Sequence, residues 1–102
     1  MKLTLVRYKT KSERALENQH LIEKVFEELR QKSLPGVRYV ALKLDDGSFV
    51  HFYLAEAGAS PLSTLDTFKA FQDGIRDRCL EQPRVEGFNE ATIVGAYRML
   101  SG

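Results

Sequence analysis

The chain has 102 residues, enough for one hydrophobic core and too few for two, so residues 1–102 are expected to form a single domain. Fifteen Lys and Arg against fourteen Asp and Glu leave a net charge of +1, which excludes a whole-chain field for drawing in nucleic acid or an anionic membrane. A single cysteine excludes an internal disulfide, and no Cys and His residues have the spacing of a zinc site, so no metal is expected.

Residues 2–9, KLTLVRYK, alternate loosely and are rich in β-branched and aromatic types, which predicts a first strand. Ser12 is placed to cap the helix that follows, with Glu13 where a helix N-terminus favours negative charge. At helical spacing Ala15, Ile22, Val25, Phe26 and Leu29 share one stripe, and Pro35-Gly36 ends the helix. VRYVALKL, residues 37–44, is the second strand. Asp46-Gly47 then predicts a hairpin of type I′ into a third strand at residues 48–56, SFVHFYLAE. Residues 57–64 read as a loop, after which Leu65, Phe68, Phe71, Ile75 and Cys79 fall on one face of a second helix that Pro83 stops at the latest. RVEGFNEATIVGAYRML, from residue 84 to Leu100, is expected to supply a long last strand, bent or bulged at Gly87 or Gly95.

The order is β-α-β-β-α-β. It predicts an α+β, ferredoxin-like protomer in which right-handed crossovers place both helices on one face of a four-stranded antiparallel sheet. A lone sheet of this kind wets its other face, so its strands should alternate apolar and polar residues. These do not: in the third strand Phe49, His51, Tyr53 and Ala55 point one way, and Val50, Phe52 and Leu54 the other. So much apolar surface needs a cover, and a second copy on a two-fold axis is the simplest. A homodimer through the sheet face is therefore expected. No stretch approaches the roughly 18 apolar residues of a membrane span, and the N-terminal apolar run is too short for a signal peptide, so a cytoplasmic protein is expected.

With LPGVRYVALKLDDGSFVHFYLAE and TLDTFKAFQDGI the chain resembles the dimeric α+β barrel superfamily, and within it the antibiotic biosynthesis monooxygenase-like proteins. The resemblance runs through Pro35-Gly36, Tyr39, the Asp45-Asp46 turn, Phe49-Val50, Phe68 and Phe71. It implies a protomer that pairs through its sheet and holds any ligand between sheet and helices. Relatives in that superfamily, which include cofactor-independent oxygenases, haem-degrading enzymes and isomerases, often carry a tryptophan late in the third strand and a histidine near the start of the second helix. This chain has no tryptophan, Pro61, Leu62, Ser63 and Thr64 occupy that approach, and no cofactor is expected.

The resemblance turns His51 toward the helices, where it serves as a catalytic base or a polar anchor, or else is a core histidine with a hydrogen-bonded neighbour. Arg7 either orients a carboxylate or enolate or reaches out to solvent. Tyr53 and Tyr97 offer hydroxyls to a ligand or pack as core rings. Asn18 points an amide into the apolar stripe of the first helix, where it either lines the cavity as a ligand-binding group or is a first-turn residue that the sheet does not reach. His20 projects opposite that stripe, which makes a His20 and His51 metal pair geometrically poor. Cys79 reads as a small buried hydrophobe, with Arg76 and Arg78 directed outward. Two functions fit. One is a binder of a small apolar or aromatic molecule that carries out cofactor-independent oxygenation or isomerisation; the other is a non-catalytic dimeric binding or interaction module.

Overall fold

A computed structural model describes residues 1–99. It contains strands β1 (Lys2–Thr10), β2 (Val37–Lys43), β3 (Ser48–Ala55) and β4 (Cys79–Phe88), and helices α1 (Ala15–Lys32), α2 (Asp66–Gln72) and α3 (Ile75–Arg78). The sheet order is β2-β3-β1-β4 and every pair is antiparallel, the ferredoxin-like α+β arrangement that the element order predicts.

Register assigns the faces. Tyr8 lies opposite Phe49, Val6 opposite both His51 and Val85, and Tyr39 opposite Tyr53, so these side chains share the face under the helices. There Tyr8, Ile22, Val25, Phe49, Leu62, Leu65, Phe71 and Cys79 form the buried core. On the reverse face Leu5 meets Phe52, which meets Val40, while Leu42 and Phe88 are about half exposed at 47% and 48%.

Four local expectations are corrected. Ser12 does not cap α1: it opens a 3₁₀ turn over Ser12–Arg14, and Arg14 stands at the helix start with no side-chain cap. The β2–β3 hairpin forms where expected, but only Gly47 has positive φ, +87°, and Leu44 accepts from the Gly47 N–H at 3.1 Å. Leu44 N–H then donates to the Ser48 carbonyl at 2.8 Å, so the loop is a longer hairpin closed by a left-handed glycine and not a two-residue type I′ turn.

The second helix is broken. Gly74 is left-handed at φ +74°, α2 stops before it, and after the single turn of α3 the chain is already extended at Cys79. Cys79 is buried as the first residue of β4, not on a helix face. The last strand consequently starts earlier than the sequence suggests. Pro83 is tolerated inside it because β4 is an edge strand and the β1–β4 register shifts between Arg7 and Lys9, so the proline falls in the irregularity and breaks no ladder bond. Leu3 pairs with Phe88, which uses up β1, and residues 89–99 have no strand left to join. Instead Ala91 N–H donates to the Met1 carbonyl at 2.7 Å. The expected end of the strand at Leu100 lies outside the described residues.

Glu28 ties the helices together over the sheet. Its carboxylate accepts from the Thr67 backbone N–H at 3.1 Å and the Thr67 hydroxyl at 2.6 Å, and pairs with Lys32 at 2.8 Å. Lys32 first, then the Thr67 donors, hold its pKa down to about 2. The first turn of α2 thus gains an acceptor for an otherwise unpaired N–H.

Candidate functional site

Under the helices lies a cavity of about 460 Å³ whose walls come from β1 (Thr4, Val6, Tyr8), the two tyrosines Tyr39 and Tyr53, and a roof that includes Leu62, Phe68 and Ile75. His51 projects into it. No charged side chain lines it, whereas three other hollows carry charged groups such as Arg30 or Glu81.

His51 sits between two phenols. Its Nδ1 is 2.6 Å from the Tyr39 hydroxyl and its Nε2 is 2.8 Å from the Tyr8 hydroxyl. Val6 is directly opposite His51 across the sheet, so Tyr8 reaches it on the diagonal of the same face. The ring also lies 5.4 Å from Phe71. Burial lowers the imidazole pKa to about 4, which keeps it neutral near pH 7. The same burial raises the hydroxyl pKa values of Tyr8 and Tyr39 well above the usual tyrosine value.

Behind Tyr8 the chain continues. Asn18 Nδ2 donates to the Tyr8 hydroxyl at 2.9 Å, and Arg78 Nε donates to Asn18 Oδ1 at 3.1 Å. Arg78 also donates to the backbone carbonyls of Asp73, at 3.0 Å, and Phe71, and its guanidinium stands 5.6 Å from the Phe71 ring centre. It is 1% exposed, and among the described residues no carboxylate comes within ion-pair distance of it. The expectation that Arg78 points outward is overturned: the kink at Gly74 turns this last helical residue inward.

The residues singled out from the sequence are thus partly gathered. His51 and Tyr53 line the cavity, and Asn18, wholly buried, acts behind it. Arg7 is on the other face, because Val6 points inward and its neighbour must point out; its side chain is 61% exposed, 3.8 Å from Asp46. Tyr97 lies beyond β4 and is 79% exposed, so it does not reach the cavity. His20 is exposed, and no group of three or more metal-ligating side chains occurs among the described residues. Sequence reasoning missed Tyr8, Tyr39 and Arg78. The alternation of Thr4, Val6 and Tyr8 could have signalled Tyr8; nothing local distinguishes Arg78 from Arg76.

No helix among the described residues is long and apolar enough to cross a membrane. No family model matches the chain, and no curated protein does. Solved structures do match in fold. A protein from Nitrosomonas europaea described as an antibiotic biosynthesis monooxygenase aligns with a TM-score of 0.71 at 16% identity, over 90% of this chain and 100% of its own. Rv0793 from Mycobacterium tuberculosis gives 0.73 at 12% identity, over 92% and 98%. A variant of SnoaB, a cofactor-independent oxygenase from Streptomyces nogalater, gives 0.63 at 15% identity, over 93% and 98%. The chain therefore has the ferredoxin-like α+β fold of the antibiotic biosynthesis monooxygenase-like proteins.

Proposed function

We propose that the cavity beside His51 binds a small apolar or aromatic molecule, and that the reaction class is cofactor-independent oxygenation. The carrying observation is a hollow of about 460 Å³, within the size range of ligand pockets, with apolar walls and one neutral imidazole in its side. The hydroxyls of Tyr39 and Tyr53 in its wall supply polar contacts to orient a planar guest. The SnoaB variant, named a cofactor-independent oxygenase, shares the fold and supports the reaction class. In such a reaction the substrate provides the electrons: one atom of dioxygen joins a substrate carbon and the other leaves as water. A dry, shaped pocket favours that chemistry by holding the reactive carbon away from bulk water.

A thermal-shift series of naphthalene ketones and phenols, followed by an oxygen electrode with the binders, tests the reading. Saturable stabilisation of the wild type, absent from a cavity-filling Ile75→Trp variant, is expected. Binding without oxygen uptake would move the protein to the second reading, as a non-catalytic binding module; no binding at all would leave only the interaction module of that reading.

We also infer that the reverse face of the sheet meets a second copy of the chain. The support is the run of Leu5, Phe52 and Val40 across three strands with half-exposed Leu42 and Phe88 at its margin. Light scattering on the purified chain tests it: a mass of two chains is expected, and a single-chain mass at micromolar concentration contradicts it.

A further inference from the structure

We propose that Arg78, Asn18 and Tyr8 are positioning residues that fix the direction of a one-way hydrogen-bond chain ending at Tyr39, so that the cavity presents a hydroxyl donor to an acceptor oxygen of its guest. The inference rests on the cavity-binding reading for its guest, and on geometry alone for the chain.

The direction follows from counting protons. A guanidinium only donates, so Asn18 must turn Oδ1 toward Arg78 and Nδ2 toward Tyr8. The Tyr8 oxygen is then an acceptor from Asn18, and its single proton has one acceptor within reach, His51 Nε2 at 2.8 Å. A neutral imidazole with Nε2 accepting carries its proton on Nδ1, which donates to the Tyr39 hydroxyl at 2.6 Å. Tyr39 has received its hydrogen bond and keeps its own proton for the cavity it lines. The opposite arrangement, with the proton on Nε2, would leave the Tyr8 hydroxyl proton buried and unpaired at a residue only 2% exposed. Doubly protonated imidazole would do the same.

Two consequences distinguish this site from a general-base site. Both ring nitrogens are engaged by phenols, so His51 offers no lone pair to a guest and acts only through Tyr39. The chain also has no exit for a proton taken from the guest, because Arg78 at its far end cannot accept one. The arrangement suits a carbonyl or enolate oxygen: a buried cation without a carboxylate partner stands at the far end, and each donor along the chain is polarised toward the cavity.

The isosteric Asn18→Asp variant reverses the chain. Its carboxylate accepts from Arg78 and from Tyr8, so Tyr8 turns its proton away from His51, Nε2 becomes the protonated nitrogen and Tyr39 must donate to Nδ1. Long-range ¹H–¹⁵N spectra of the imidazole in the unliganded protein read this directly. The expected result is the Nδ1–H tautomer in the wild type, the opposite of the preference of a free histidine side chain, and Nε2–H in Asn18→Asp. An Nε2–H tautomer in the wild type overturns the proposal even if the variant does not fold, and so does an unchanged tautomer in a folded variant. As a probe, 2-acetonaphthone is expected to bind the wild type about fivefold tighter than 2-isopropylnaphthalene, the worth of one hydrogen bond, and to lose that advantage in Asn18→Asp. Equal affinities in the wild type would overturn the donor role of Tyr39. Binding of neither naphthalene would overturn the cavity reading instead, and the tautomer would still decide the chain.

Discussion

The Tyr8 hydroxyl and Nε2 of His51, carried by the adjacent strands β1 and β3, meet at 2.8 Å in the core. This contact joins the side chains anchored on α1 and α3 to those that line the cavity, since Asn18 and Arg78 lie on one side of it and Tyr39 on the other.

Removing that hydroxyl strands two buried polar atoms, Asn18 Nδ2 and His51 Nε2. Tyr8→Phe is therefore expected to lower stability by about 2–4 kcal/mol, although the ring and its stacking on Phe49 are kept. Urea unfolding at fixed protein concentration measures it; a loss below about 0.5 kcal/mol, a neutral surface change, would contradict the buried network.

His51 gives the protein an acid-sensitive core. Its pKa is about 4 when folded and near 6.5 when unfolded, so below pH 6.5 the unfolded chain takes up a proton that the folded one refuses. This contribution is intact above about pH 6.5 and falls with acidification until about pH 4, by on the order of 3 kcal/mol in all. Unfolding curves at stepped pH should show that slope in the wild type and lose most of it in His51→Gln.

The kink that brings Arg78 inward depends on a left-handed glycine. Gly74→Ala introduces a Cβ with only ordinary contact to Arg78, 3.8 Å from its guanidinium, so its cost is conformational, about 1–2 kcal/mol. Arg78→Lys keeps the charge but loses the fork that reaches three acceptors at once, and is expected to cost about 2 kcal/mol or more. Paired denaturation curves for the two variants test both.

If the reverse face is a dimer interface, a charge at its centre should break it. Phe52→Glu is expected to convert a two-chain mass to a one-chain mass in light scattering, with the circular dichroism of the sheet retained. A wild type and variant of equal mass would place the interface elsewhere or nowhere.

Much of the fold was legible because it rests on local signals: the stripe of Ile22, Val25 and Phe26, the Asp46-Gly47 turn, and the two-sided apolar third strand. The inward turn of His51 needed the resemblance to a known fold as well. What could not be read depends on partners distant in sequence. Pro83 reads as a stop unless β4 is known to be an edge with a register shift opposite Tyr8. The run from Asn89 to Met99 looks like a strand, yet the pairing of Leu3 with Phe88 already brings β4 to the end of β1. Arg78 looks like one more solvated charge until Gly74 turns the chain and brings Asn18 within 3.1 Å.

The account stands most directly on the cavity beside His51. Titrating ¹⁵N-labelled protein with 2-acetonaphthone and following backbone amides tests it. Saturable shifts at Val6, His51, Tyr53 and Ile75 are predicted, and their disappearance in Ile75→Trp. No saturable shift, or shifts confined to Leu42 and Phe52 on the reverse face, would contradict it.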